Sequence, residues 1–290
     1  MTQPVVTGIY IHPVKSCRRV EVDHAVVSQY GLQGDREWQV QGPVGQFMTQ
    51  RKFPALARVQ PALISGGLRL QCDGLPDLEV ETPAAVNSHG KTATGSVPVA
   101  DAGDEAAAWL ERVLSIECRL TSIASGYERH PLIGGDDVFG QQVTFVDAAP
   151  VHLVSASSYR FLLEHAAEPF PIERFRPNLV VDGAGAWEED AWQALSIGDA
   201  ELRVSLPWPR CTVPQVDQDT GERHREPAVV LKRFRWCSDA PSLPAPVQPL
   251  IVGNALFGIA ASMAPAGAVI SRGAAVEVLA TGTPLLAAPG

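Results

Sequence analysis

The chain is 290 residues long, enough for one large domain or two moderate ones with a real core. Hydrophobic residues make up 46% and charged residues 19%, which excludes a disordered polymer. A formal net charge of -9 argues against a general binder of nucleic acid or anionic membranes, so local basic segments read as specific sites.

The first third reads as β-rich. Val5–Ile11, Glu21–Ser28, Glu37–Gln41, Ala57–Ile64, Leu68–Gln71 and Leu78–Glu81 are short, partly alternating and rich in β-branched residues. Gly31, Gly34-Asp35, Gly42-Pro43, Gly66-Gly67 and Asp73-Gly74 separate them as turns. A helix follows, capped by Asp101 or Asp104, with Ala106, Trp109, Leu110, Val113 and Leu114 on one face. Tyr127–Gly140, rich in Gly, Asp and Pro, reads as an inter-domain connection, and the expected division is 1–126 and 127–285. A second helix starts after Ser155 as N-cap and runs to His165. Strands return at Leu179–Val181, Leu195–Ile197, Glu201–Leu206, Val229–Phe234 and Ala275–Leu279. Many short strands with few helices predict a mainly β, α+β protein built from barrels or sandwiches.

From Ala240 to Ile270 no residue is charged, a length that invites a membrane helix. Five prolines and three glycines break that stretch, so it reads as a proline-rich loop followed by short buried segments, with no membrane span. The N-terminus lacks the basic region and long apolar run of a signal peptide, and a cytoplasmic location is expected. The five cysteines include no CxxC pair, which argues against a disulfide scaffold or zinc ribbon.

Cys211 is the most informative of them. It follows Arg210 in the proline-stiffened Trp208-Pro209-Arg210-Cys211 and precedes Asp217-Gln218-Asp219-Thr220-Gly221, which reads as a hairpin turn. A thiolate is the nucleophilic and metal-binding form, and a neighbouring cation favours it. The plain alternative is an inert buried cysteine. The acidic turn does not suit a calcium loop, because Gly221 falls where an oxygen ligand is needed and no downstream glutamate is correctly placed. Lys15-Ser16, after Pro13, offers an ammonium and a hydroxyl to a phosphate, or is a solvated loop. Arg36 either serves a ligand or pairs locally with Asp35 or Glu37, while Arg176 with Asn178 offers a planar fork and an amide, or anchors its own loop. GxGxxG, GxxxxGK[ST], GxSxG and HExxH are all absent, so dinucleotide, nucleoside-triphosphate, α/β-hydrolase and zincin chemistries are unsupported. His224 is a poor base for Cys211, since it stands between Arg223 and Arg225 in a charged run.

These segments, in this order, resemble the MOSC-domain family with its N-terminal β-barrel partner domain, and within it the amidoxime-reducing components and their bacterial counterparts. The blocks are Ile9–Cys17, Gly31–Trp38, Phe175–Val181, Pro209–Gly221, and Leu256-Phe257-Gly258 with Gly267–Ile270. The resemblance implies an N-terminal β-barrel-like domain packed on a MOSC β-barrel. It implies Cys211 as the protein's ligand to the molybdenum of a molybdopterin cofactor, with Lys15, Ser16, Arg36, Arg176, Asn178 and Arg210 holding that cofactor. Forked guanidinium groups suit a phosphate, and a thiolate suits a soft-ligated metal.

The implied activity is reduction of N-hydroxylated compounds such as amidoximes, hydroxylamines and N-hydroxylated bases. No cysteine-rich iron–sulfur segment follows, so electrons must come from a separate ferredoxin-, flavodoxin- or cytochrome-type donor with its reductase. The alternative is a cofactor carrier or sulfur-handling protein without turnover. Ala148, Ala149, Pro209 and Ala260 stand where family members often carry hydroxyl-bearing side chains, which shifts the expected cofactor contacts onto the basic residues.

Overall fold

A computed structural model describes residues 3–83, 85–132 and 140–289. The chain is mostly β, as the sequence predicts. Its largest sheet has nine strands. In spatial order they are Val276–Thr281, Trp192–Ile197, Ala200–Arg210, Asn254–Ala264, Val151–Ser155, Leu179–Asp182, Val5–Ile11 and Val20–Val22, with the short Trp236–Cys237 also on Asn254–Ala264. The first strand of the chain thus pairs with Leu179–Asp182 from the second half, antiparallel. His24–Ser28 likewise pairs with Val269–Ser271. The apolar faces of these strands meet in one core that includes Ile9, Leu153, Leu195, Leu202 and Ile259.

A second core gathers Trp38, Leu56, Leu68, Leu70, Trp109, Leu110 and Leu120. It lies between the sheet Trp38–Gln41, Arg119–Ile123, Gly95–Asp101, Ser88–Thr92 and the meander Gln60–Ile64, Gly67–Gln71, Leu78–Glu81. The helix Asp104–Leu114 covers this core with the predicted face, burying Ala106, Trp109 and Leu110. Its N-cap is Gly103 rather than an aspartate, and Asp101 instead accepts the Gly103 N–H at 2.8 Å. The second helix, Ala156–His165, is capped by Ser155 as predicted, with Ser158 N–H donating to its Oγ.

Three expectations are corrected. Pro54–Arg58 is a short 3-10 helix, so the predicted strand Ala57–Ile64 begins only at Gln60. Val229–Phe234 lies in an α-helix, Ala228–Phe234, whose Val230 and Leu231 pack beside Phe175 and Phe257 while Lys232 and Arg233 face out. In the uncharged stretch, eleven residues, Asn254–Ala264, form one almost fully buried central strand rather than only short segments. A strand covered on both faces has no alternation to read. No helix among the described residues is long and apolar enough to cross a membrane. Of the expected connection Tyr127–Gly140, residues 133–139 lie outside the described residues.

Against the helix Ala156–His165 sits a buried polar cluster. Ser158 Oγ donates to Glu189 Oε2 at 2.8 Å and accepts the Trp187 backbone N–H at 2.7 Å. Arg235, 1% exposed, pairs with Asp190 and lies 4.3 Å over the Trp187 ring. Burial, with Asp190 adding, pushes the Glu189 carboxyl up to about 8. The folded chain therefore binds more protons than the unfolded one between about pH 4.5 and about 8, and stability falls as pH rises through that window. Glu189→Gln is expected to flatten this decline and raise Tm at pH 8 more than at pH 5. Thermal unfolding of both proteins at the two pH values checks it, and an unchanged slope in the variant would contradict it.

Candidate functional site

A cleft opens between the loops that carry Lys15, Arg51 and Asp147 and the end of the strand Ala200–Arg210. Lys15, Ser16, Arg36, Arg51, Arg176, Arg210 and Cys211 all line it, together with Asp147, His152, Phe175 and Trp208. Five cations and one carboxylate thus face each other in a chain of net charge -9. The positive potential belongs to the site and not to the surface as a whole.

Cys211 is exposed, whereas Cys17, Cys72, Cys118 and Cys237 are buried. The inert reading therefore fits the other four, and burial pushes the Cys17 thiol up to about 12. Cys211 follows directly on the long strand Ala200–Arg210, whose last residue pairs with Ala255. A rigid central strand thereby delivers the thiol to the cleft edge. The turn beyond is the predicted hairpin: Asp217 Oδ1 accepts the N–H groups of Asp219 and Thr220, and Val216 bridges Arg223.

Three of the cleft residues hold backbones that side-chain-bearing residues rarely adopt. Ser16 has φ 68°, Arg36 φ 49° and Arg176 φ 54°. Left-handed backbone at a non-glycine costs about 1–3 kcal/mol, and such strain clusters where geometry is imposed for a ligand. Each strained residue is held by its neighbours. The Ser16 carbonyl accepts from Gln50 Nε2 at 2.8 Å. Arg176 closes the short helix Ile172–Phe175, its N–H on the Glu173 carbonyl.

The guanidinium groups are only partly satisfied. Arg210 Nη2 donates to the Phe175 carbonyl at 2.8 Å, and its Nη1 lies 3.4 Å from His152 Nε2. Its Nε is buried with no hydrogen-bond partner among the described residues. Arg176 Nη1 donates to the Cys17 carbonyl at 2.6 Å, while its Nη2 is equally unpartnered. Buried donors without acceptors are costly, and both belong to guanidinium groups whose residues line the cleft. Burial, and then the nearby Arg36, brings Arg176 down to about 9. Burial brings Arg210 down to about 10, with Cys211 and Asp147 opposing. Both remain cationic at neutral pH.

Arg36 pairs with Asp35, the local alternative weighed above, yet it also reaches Asn178 Oδ1 at 2.9 Å and the Arg176 carbonyl at 3.3 Å. Asn178 is the one expected residue that does not line the cleft. It stands behind Arg36, with Nδ2 donating to the Tyr10 carbonyl at 3.1 Å, so it positions a guanidinium and does not face the space itself. Lys15 is buried and engaged: its Nζ pairs with Asp147 at 2.6 Å and donates to the Phe145 carbonyl at 2.6 Å. Burial lowers the Lys15 ammonium, with Asp147 opposing. Burial raises Asp147, but Lys15 and then Arg51 and Arg36 override it and hold the carboxyl below its usual range.

Several contributors were not singled out from sequence. Asp147 and Arg51 enter through loops remote from Lys15 in the chain. Trp208 was readable, since it lies two residues before Arg210 on one strand, the spacing that returns a side chain to the same face. Its ring centroid is 4.8 Å from that of His152, which burial and then Arg210 keep neutral. Arg129, 3% exposed, donates to the carbonyls of Val146 and Asp147 and so fixes the loop that presents Asp147. Among the described residues, no three His, Cys, Asp or Glu side chains gather as a metal-binding group.

Residues 3–117 match the MOSC N-terminal beta barrel domain and residues 140–277 the MOSC domain. The chain is 32% identical to mitochondrial amidoxime reducing component 2 of Rattus norvegicus over 267 residues, spanning 88% of this chain and 77% of the relative. It is 32% identical to mitochondrial amidoxime-reducing component 1 of Mus musculus, spanning 80% of this chain and 72% of the relative. Molybdenum cofactor sulfurase of Danio rerio is 30% identical across 79% of this chain, which spans 30% of that longer protein. The chain belongs to the MOSC-domain family, among the members that join a MOSC domain to an N-terminal MOSC β-barrel domain.

Proposed function

We propose that this protein is a molybdenum-cofactor-dependent reductase of N-hydroxylated compounds such as amidoximes. The observation that carries the reading is the exposed Cys211 thiol at the edge of a cleft lined by five cations, two of them with unpartnered buried donors. That donor set suits an anionic, phosphate-bearing group that takes one thiolate from the protein. The names of the relatives point the same way.

In this reading Cys211 is the protein's ligand to molybdenum. Lys15, Ser16, Arg36, Arg176 and Arg210 hold the anionic part of the cofactor, and Asn178 aligns Arg36. When bound, the cofactor supplies a two-electron couple and an acceptor for the substrate's oxygen. The overall change is balanced: an amidoxime, two electrons and two protons give an amidine and water. The chain's own part is orientation and charge. The largely buried guanidinium groups of Arg176 and Arg210 stand in a low-dielectric wall, which strengthens their hold on an anion. Neutral His152 backs Arg210 without adding charge, and Trp208 forms one apolar wall.

The donor of electrons is a separate carrier protein, and the substrate is a small molecule. A second reading, a cofactor carrier or sulfur-handling protein without turnover, draws on the sulfurase relatives. Assaying a model amidoxime with the metal-loaded protein and a chemical reductant separates the two. Amidine formation is expected, whereas bound molybdenum with no turnover under any reductant would favour the carrier.

A further inference from the structure

Of the six tryptophans, Trp236 alone falls in the exposed class, at 43%. It sits on the two-residue edge strand Trp236–Cys237, beside the helix Ala228–Phe234, whose Lys232 Nζ lies 5.3 Å over the indole ring. Val229, 53% exposed, shares a helix face with Lys232 and Arg233 through the i, i+3, i+4 spacing. Val252, 36% exposed, joins from the other side, since the next residue, Gly253, donates its N–H to the Cys237 carbonyl at 2.8 Å. The result is an apolar patch centred on an indole and flanked by cations.

The helix side of this face is cationic. Lys232 and Arg233 are exposed on the helix beside the indole, while exposed Asp239 follows on the far side of Cys237. The whole chain carries -9. Tryptophan and arginine are the residue types over-represented at binding hot spots, and exposed apolar groups rimmed by charge mark docking surfaces.

Its position gives the patch a purpose. Ala255 pairs with Arg210 on one side of its strand and with Trp236 on the other. Two strand spacings separate the Arg210 and Trp236 backbones, about 10 Å. The patch therefore lies next to exposed Cys211. Electron transfer weakens steeply with distance, so a carrier must dock near that cysteine to serve it.

We propose that the Trp236-centred basic face docks an acidic electron-carrier protein, bringing its redox centre beside Cys211. The inference rests on the reductase reading and names the partner's surface chemistry. For each turnover the carrier is oxidised by two electrons in total, two protons come from solvent, the substrate N–O bond breaks, and N–H and water form. Charge steers the encounter, and the indole supplies the desolvated contact at its centre.

The test uses two acidic probes, a plant-type [2Fe–2S] ferredoxin and a flavodoxin, titrated against the full chain. Wild type is expected to bind at least one of them, with Kd rising about tenfold between low and physiological salt. The double variant Lys232→Glu/Arg233→Glu is expected to weaken binding about tenfold at low salt and to lose most of the salt dependence. Trp236→Ala is expected to weaken binding by a similar factor while keeping the salt dependence. All these side chains are exposed, and turnover with a chemical reductant should stay unchanged in both variants. The proposal is overturned if neither probe binds wild type at low salt, or if the variants bind like wild type. It is equally overturned if the variants lose binding to phosphatidylglycerol vesicles instead of to the carriers. Carrier binding through this face without amidoxime reduction would support the docking surface and contradict the reductase reading, so the two fail separately.

Discussion

Cys211→Ser is expected to lower amidoxime turnover by about three orders of magnitude, a barrier increase of about 4 kcal/mol, with Tm almost unchanged. The side chain is exposed and fills no core, so its loss removes a ligand and no packing. Cys17→Ser is the informative contrast. That thiol is 0% exposed within a hydrophobic core, so a hydroxyl there lacks its water and the effect falls on stability. Turnover, metal content and thermal unfolding of the two variants distinguish these roles. Wild-type turnover by Cys211→Ser would remove Cys211 from the chemistry.

Gly258→Ala is expected to destabilise the protein by about 3 kcal/mol, lowering Tm by about 6 °C or more. Gly258 has φ +72°, where a side chain is strained whatever the space. An added Cβ would also stand 2.5 Å from His152 Nε2 and 2.6 Å from the Leu153 carbonyl. The carbonyl belongs to the neighbouring strand and cannot step aside, so the strain spreads to the His152 ring. That ring lies 3.4 Å from Arg210 Nη1. The variant should therefore weaken the hold on an anionic ligand as well as stability. Urea or thermal unfolding gives the first effect, and a loss smaller than about 1 kcal/mol would show that the strand absorbs the methyl group.

The site was legible in the chain wherever a residue and its reason are local. Lys15-Ser16 after a proline, Arg176 before a strand and Cys211 after Arg210 are all readable from neighbours, and the structure brings them to one cleft. What the sequence hid is what arises from convergence. The Lys15–Asp147 pair joins residues 132 positions apart, and Arg36 meets Asn178 across 142. The left-handed backbones of Ser16, Arg36 and Arg176 were equally invisible, because no glycine or asparagine marks them. The fold shows the same division. Asp104–Leu114 has enough turns for its 3.6-residue period to be unambiguous, whereas seven residues at Ala228–Phe234, with valines second and third, fit a strand as readily as a helix. The tertiary context decides there, since Val230 and Leu231 bury against Phe257 only from a helix.

The central claim is that Cys211 and the surrounding cations hold a molybdenum cofactor. Its most direct test is the molybdenum and pterin content of the full-length chain purified from a molybdate-supplied host. The account predicts about one molybdenum and one pterin per chain for wild type, lost together on chelation or denaturation. It also predicts a marked fall in both for a variant in which Arg176 and Arg210 are replaced by methionine. A folded wild-type protein that contains neither metal nor pterin after such expression would contradict it.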